Sequence, residues 1–351
     1  FVADEIPEKK LKEIISETLN FDFPVVSLEK NIATLELFHG PTMAFKDVGA
    51  RFMARCLGYF NEVENTAKVT VLVATSGDTG GAVAAGFHKT PGTKVVILYP
   101  SGKVSMLQEK QLTTLGENIT ALEIDGTFDD CQALVKQAFL DPELNSKLRL
   151  SSANSINIAR LVPQSFYYFE AYRQIPGSSR PISFSVPSGN FGNLTAGLIA
   201  KKMGLPIQKF VASTNINNIV PNYLTSGVYS PKTSLETISN AMDVGNPSNF
   251  DRMDQLYCST WNDIKKDLDG YWFTDRQTRS MIRKVYNNYQ YTIDPHGAVG
   301  FLGATSFRKK YPNFFTIILE TAHPGKFQNT MEETLKISLD LPVELKRILT
   351  L

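Results

Sequence analysis

The sequence predicts an α/β protein built on two open, mostly parallel twisted sheets flanked by helices. Short β-rich runs alternate with longer helical patterns, the order that builds right-handed βαβ units. Glycine-containing turns follow several of the predicted strands, at the carboxyl ends where open α/β sheets bind ligands. The 351 residues exceed what one core organises, so two domains are expected, a larger one of residues 1–48 with 153–351 and a smaller one of residues 49–152.

In chain order, Glu8 to Leu19 sets Leu11, Ile14, Ile15 and Leu19 on one helical face. Ile32 to Phe38 alternates enough to be a strand, and beyond the turn His39-Gly40-Pro41-Thr42 a helix runs from Lys46 to about Tyr59. Lys68 to Ala74 is a buried strand that empties into Thr75-Ser76-Gly77-Asp78-Thr79-Gly80-Gly81 and the small-residue helix Ala82 to His88. The strand Lys94 to Tyr99 and a helix from about Ser105 to Leu115 repeat the unit, followed by the strand Ile119 to Ile124 and the helix Asp129 to Phe139. A second series has a helix Ile156 to Tyr172, a strand Ile182 to Val186, the turn Ser188-Gly189-Asn190-Phe191-Gly192-Asn193, a helix Leu194 to Met203 and a strand Ile207 to Ala212. Ile216 to Asn249, rich in Pro and Gly, reads as loop. Helices Asp251 to Asp267, Thr274 to Tyr286 and Ala298 to Arg308 follow, and the strand Phe315 to Leu319 ends at Thr321-Ala322-His323-Pro324.

Lys plus Arg number 36 and Asp plus Glu 35, a net charge of +1, so no nucleic-acid or acidic-membrane surface is expected. Cys56, Cys131 and Cys258 are odd in number and lack ligand spacing, which reads as reduced thiols in a cytoplasmic setting. The histidines His39, His88, His296 and His323 form no paired motif, so no metal site is expected. No charged stretch followed by a short apolar one is seen, and no apolar run is long enough to span a bilayer. With Phe1 first and an incomplete helical pattern before Leu351, both ends read as trimmed.

Lys46 is the residue the chemistry is organised around. It stands between Phe45 and the positive end of a helix dipole, a poor place for a solvated cation, so its pKa is expected to fall and its amine to serve as a nucleophile. On its own such a lysine reads equally as one that snorkels at a strand–helix junction. In Ser188 to Asn193, glycines allow backbone N–H groups to meet an anion at a helix start, although neither GxGxxG nor GxxxxGK[ST] is present. Thr75 to Gly80 is a second such turn, which also reads as a simple helix cap. Two anion turns and a desolvated lysine suggest a small ligand with two separated anionic groups, held by a carbonyl carbon on the amine.

Glu36 to Asp47, Thr75 to Gly81, Ser152 to Arg160, Ser188 to Asn193, Asn240 to Val244 and Thr321 to Pro324, in this order, resemble the threonine synthases. These are pyridoxal-phosphate enzymes of fold type II, the tryptophan-synthase-β group, and the likeness is to their bacterial and fungal branch. That branch carries a further segment ahead of Phe1. The resemblance implies a cofactor cleft between two domains, Lys46 as the lysine that carries the cofactor and moves the α-proton, and Gly189, Asn190, Phe191, Gly192 and Asn193 as the holders of its phosphate. It also implies Thr321 at the pyridine nitrogen, which a hydroxyl leaves largely unprotonated, and Ala241 and Met242 against the ring. Asp78 stands where the wider family often has Asn near the cofactor 3′-oxygen, so its carboxylate must be protonated or face a donor.

The substrate implied is O-phospho-L-homoserine, converted with water to L-threonine and phosphate by γ-elimination and β-addition. Thr75, Ser76 and Thr79 are candidates for its carboxylate or phosphate, and Asn154, Ser155 and Arg160 for its phosphate. Taken alone, Arg160 also reads as a solvated helix charge. Lys103 is a further candidate cation, and His296 and His323 read as residues that support the site from behind or hold the fold, rather than as proton shuttles. A phospho-lyase that releases 2-oxobutyrate would keep every motif, a dehydratase has no use for Arg160, and a binder of phosphorylated ligands would stay colourless with the cofactor. Monomer and homodimer are both open.

Overall fold

The structure, a computed structural model, describes residues 5–64, 67–175 and 180–351. Its strands are β1 (Val25–Glu29), β2 (Ile32–Glu36), β3 (Val69–Ala74), β4 (Thr93–Pro100) and β5 (Ile119–Ile124), then β6 (Arg149–Ser152), β7 (Ile182–Pro187), β8 (Ile207–Thr214), β9 (Leu268–Trp272) and β10 (Phe315–Glu320). The chain divides into two compact units, Phe1–Asp22 with Gly40–Pro163 and Val343–Leu351, and Phe23–His39 with Gln164–Pro342. The sequence-based boundaries at 48/49 and 152/153 lie inside the first unit. Helix Glu8–Thr18 belongs there because it packs on helix Lys46–Glu64, and helix Val343–Leu349 because it packs on helix Met106–Thr113.

The first unit holds a four-stranded sheet in the order β5-β4-β3-β6, parallel throughout. All of β3 is buried, as expected of a strand covered on both faces. Its side chains alternate: Val69, Val71 and Val73 pack with Val83, Phe87 and Leu112 on one face, and Leu72 and Ala74 with Cys131 and Val135 on the other.

The second unit holds a six-stranded sheet, β1-β2-β10-β7-β8-β9, in which only the β1–β2 pair is antiparallel. Helix Pro295–Lys310 lies close on its central strands through glycines three residues apart. A Cβ on Gly300 would stand 3.0 Å from Ile318, and one on Gly303 would overlap Ser213 Oγ. Ser185 Oγ donates to the Gly300 carbonyl at 2.6 Å, so the strand serines are satisfied at the contact.

Several elements depart from the sequence reading. Strands β1, β6 and β9 are additions; β1 and β6 are only part-buried and β9 carries Gly270, so none shows a clean apolar run. The expected helix 156–172 is broken into Ile158–Leu161, a 3-10 turn Val162–Ser165 and Phe166–Arg173, because Pro163 lacks the N–H an uninterrupted helix needs. The expected helix 251–267 is two, Phe250–Gln255 and Trp261–Asp267, with Cys258 and Ser259 at left-handed φ of 51° and 53° between them. The 216–249 loop contains the helix Ile219–Ser226, closed by Gly227 at φ 77°.

At the end of β10 the Glu320 carboxyl packs against Gly297 in the first turn of helix Pro295–Lys310, and it is 0% exposed. Burial pushes its pKa well above the usual carboxylate range and the charges of Asp294 and Glu36 add to this, while the Asp294 N–H, outside hydrogen-bond geometry, offsets it only in part. A helix dipole favours an anion by ~0.3–1 kcal/mol, whereas burying a charge costs several, so burial wins and the group is a neutral acid. The folded chain then binds a proton that the unfolded chain releases above ~4.3, so stability is lost as pH rises. Glu320→Gln should remove that slope and gain on the parent between about pH 5 and 8 in urea unfolding; parallel curves would mean that the carboxyl is ionised in the fold.

Candidate active site

In the first unit, Lys46 opens helix Lys46–Glu64 and is half-buried, its Nζ 5.6 Å from the centre of the Phe45 ring. The turn before it is set by Asp47, whose carboxylate accepts the Thr42 N–H at 3.0 Å and the Thr42 hydroxyl at 2.7 Å. Gly40 is required there, since a Cβ would stand 2.5 Å from Asp47 Oδ2, and Met43 takes a left-handed φ of 54°. Arg160 is no solvated charge. It is 2% exposed, donates through Nη1 to the Ala153 carbonyl, and presses its own carbonyl against Gly49. Burial lowers its pKa to about 10 against the opposing pull of Asp47.

The Thr75 turn is closed from within. Thr75 Oγ1 accepts the N–H groups of Gly77 at 2.9 Å and Gly80 at 2.8 Å and donates to the Gly77 carbonyl at 3.1 Å. Among the described residues the hydroxyls of Ser76 and Thr79, both half-buried, have no protein partner, so they rather than Thr75 are open to a ligand. Asp78 accepts a hydrogen bond from Gln108 Nε2 at 3.0 Å, so its required donor is a residue that the sequence reading missed. Gln108 was visible only as the far half of a capping box with Ser105. One turn on, Gln111 donates to the Thr42 carbonyl at 3.4 Å, so one face of helix Met106–Thr113 reaches both turns. Asn154 pairs both ends of its amide with Ala74, beside Thr75, at 3.2 and 2.8 Å. Ser155 follows it half-buried, and Lys103 is exposed in its own loop.

In the second unit the Ser188 turn leaves β7 and enters helix Gly192–Lys202, with Phe191 at a left-handed φ of 59°. Asn193 ties the turn to its strand through Pro187 at 2.9 Å, and Tyr168 donates to the Asn193 carbonyl at 2.7 Å. Asn190 turns its side chain to Ser248, accepting from N–H and hydroxyl at 3.1 and 3.2 Å. Among the described residues none of the N–H groups of Gly189 through Asn193 has an acceptor, and the helix has no acid in its first turn. A Cβ on Gly189 would stand 2.8 Å from both the Ala241 carbonyl and Met242 Cα. Open donors, a helix N-terminus and a glycine that backbone presses from behind fit a phosphate group. Thr321, buried, leaves the same sheet edge from β10, the neighbour of β7. His323 accepts the Gly325 N–H at 3.0 Å and packs edge-on to Phe38, a structural post whose pKa burial lowers.

The profile of the pyridoxal-phosphate dependent enzymes matches residues 27–313, and that of the threonine synthase C-terminal region matches residues 297–351. The fold and these matches define a pyridoxal-phosphate-dependent enzyme. Threonine synthase of Escherichia coli is 49% identical over 347 residues, 98% of this chain and 79% of that protein, and the Saccharomyces cerevisiae enzyme is 36% identical over 99% and 80%. The crystal structure of the E. coli enzyme superposes with a TM-score of 0.92 at 48% identity, over 99% of this chain and 80% of that one. The pyridoxal-phosphate-bound threonine synthase of Brucella melitensis gives 0.91 at 36%, over 100% and 81%. Maize serine racemase, at 18% identity and a TM-score of 0.68, shares the fold. The chain belongs to the threonine synthase family.

The Gly189 contact makes a direct test. Gly189→Ala must push back the Ala241–Met242 backbone, an overpacking cost of ~1–3 kcal/mol. Pyridoxal phosphate affinity, read by absorbance titration, should fall about tenfold or more; unchanged affinity would remove this turn from the cofactor site.

Proposed function

We propose that the chain makes L-threonine and phosphate from O-phospho-L-homoserine and water with pyridoxal phosphate. The observation that carries the reading is the open row of N–H donors from Gly189 to Asn193, in a chain 49% identical to a threonine synthase. When bound, the cofactor supplies an electron sink that acidifies the carbons next to the amine. In this reading the second unit is the cofactor-binding one: the Gly189–Asn193 turn holds the phosphate, Ala241 and Met242 flank the ring, and the Thr321 hydroxyl faces the ring nitrogen. Lys46 would hold the cofactor through its carbonyl carbon, and its amine, when free, would carry a proton to and from the substrate. Overall, phosphate leaves Cγ, a proton moves from Cβ to Cγ, the hydroxyl of water arrives at Cβ, and the remaining proton of that water ends on the released phosphate.

Asp78, held by Gln108, is the candidate partner of the cofactor's ring oxygen, and Ser76 and Thr79 would offer hydroxyls to the substrate carboxylate, with Thr75 shaping their turn. Asn154 and Ser155 extend that rim toward the substrate phosphate. Arg160, beneath the first turns of the Lys46 helix, supports the Asp47 turn and supplies positive potential toward the leaving group. The ligand is a small molecule; neither nucleic acid nor membrane belongs to the reading, and among the described residues no helix is long and apolar enough to cross a membrane. A cytoplasmic setting accords with free Cys56, Cys131 and Cys258.

Incubation with O-phosphohomoserine should yield threonine and phosphate in equal amounts, and Lys46→Ala should abolish both while the fold persists. Accumulation of 2-oxobutyrate and ammonia in place of threonine would point instead to a phospho-lyase. Arg160→Lys keeps the charge and loses the planar fork, so it should raise KM for O-phosphohomoserine by about tenfold and lower kcat as well. Unchanged constants would confine Arg160 to supporting the turn.

A further inference from the structure

The sequence reads His296 as a supporting or structural residue, and the second unit places it in a defined relay. Asp294 precedes helix Pro295–Lys310 and is fully buried. Its Oδ1 accepts both the His296 N–H and the His296 ring Nδ1–H at 2.6 Å, while among the described residues Oδ2 has no partner. The other ring nitrogen, Nε2, lies 3.2 Å from the Ala241 backbone nitrogen. A backbone N–H can only donate, so Nε2 must present its lone pair and the proton must sit on Nδ1, facing Asp294. Both ring nitrogens are committed, the ring is 3% exposed, and Phe327 packs on it with ring centres 5.0 Å apart.

What the relay holds is the short 3-10 turn Asn240–Met242. Asp243 anchors one end of that turn, accepting from Thr237 N–H at 2.9 Å, Thr237 Oγ1 at 2.8 Å and Asn215 at 2.8 Å. Met242 packs its side chain with Phe273 and Val299, which fixes depth but not the direction of the peptide. The direction is set at Ala241 N–H. From the same stretch, the Ala241 carbonyl and Met242 Cα are the atoms pressed against Gly189.

We propose that His296 is a positioning residue for the cofactor phosphate: by accepting the Ala241 N–H it orients the peptide that backs Gly189, and so aims the N–H groups of the Gly189–Asn193 turn. This rests on the reading of that turn as the phosphate holder. The relay acts through backbone, so it bears on cofactor affinity first and on substrate constants little.

The tests separate the relay from the reading beneath it. In the cofactor-free protein, the ¹⁵N signals of His296 should show Nδ1 protonated and Nε2 unprotonated at neutral pH, with the Ala241 amide slow to exchange. A protonated Nε2 would overturn the proposal whatever the cofactor does. His296→Asn keeps a donor toward Asp294 and offers Ala241 no acceptor, whereas the carbonyl of His296→Gln reaches the Nε2 position. The Asn variant should exchange Ala241 about tenfold faster and bind pyridoxal phosphate about tenfold more weakly, with KM for substrate at saturating cofactor within about twofold. The Gln variant should recover most of both losses. Equal loss in the two variants, with all core amides exchanging faster, or an Asn variant of parental cofactor affinity, would reduce His296 to packing and overturn the proposal. Unchanged cofactor affinity in Gly189→Ala would instead overturn the phosphate reading, and the proposal with it, while leaving the ¹⁵N and Ala241 results intact.

Discussion

The second unit depends on how closely helix Pro295–Lys310 lies on β7, β8 and β10. Side chains at Gly297, Gly300 or Gly303 would drive the helix from the sheet, and with it every loop that leaves those strands. Close backbone approach brings main-chain polar groups into a dry contact, and the strand residues answer in kind. Ser185 bonds the Gly300 carbonyl and shares a 3.0 Å contact with Ser213. The same helix presents Asp294 and His296 at its first turn, and β10 delivers Thr321 beside it. One packing constraint thus locates the candidate phosphate turn, the peptide that backs it and the candidate pyridine partner.

Charge is handled differently at three acids, the buried Asp47 and Glu320 and the half-buried Asp243. Asp47 accepts the N–H and the hydroxyl of Thr42 and has Arg160 as its counter-charge. Glu320 has no such donors, and burial keeps it neutral. Asp243 lies between the two: burial pushes its pKa up to about 7 although the hydroxyl and N–H of Thr237 and the amide of Asn215 draw it down. The deciding quantity is the number of well-placed donors, since each offsets only part of the cost of taking a carboxylate out of water.

Two turns that look alike in sequence behave differently. In Thr75-Ser76-Gly77-Asp78-Thr79-Gly80 a side-chain oxygen turns inward and consumes the N–H groups of Gly77 and Gly80, leaving hydroxyls to face outward. In Ser188-Gly189-Asn190-Phe191-Gly192-Asn193, Ser188 and Asn193 bond back to the strand and the turn's own N–H groups stay open. The first turn is built to present side chains and the second to present backbone. A composition of Ser, Thr, Gly and Asn does not distinguish them, because the distinction is whether a side-chain oxygen turns in on the N–H groups and how the backbone of each turn bends.

The sequence by itself determined the α/β class, the parallel central strands, Lys46 at a helix start and the ordered motifs that mark the family. Those features rest on periodicity and turn chemistry within a few residues, which local physics dictates wherever the chain goes. Tertiary structure decided the edge strands β1, β6 and β9, which lack apolar runs and are defined by their neighbours. It turned Arg160 from an apparent surface charge into a buried one beneath the Lys46 helix, and gave Asp78 its donor in Gln108, thirty residues away. It also chose the His296 tautomer through a backbone N–H 55 positions earlier. Contacts of that kind join positions whose separation no local pattern encodes, so only the folded chain could reveal them.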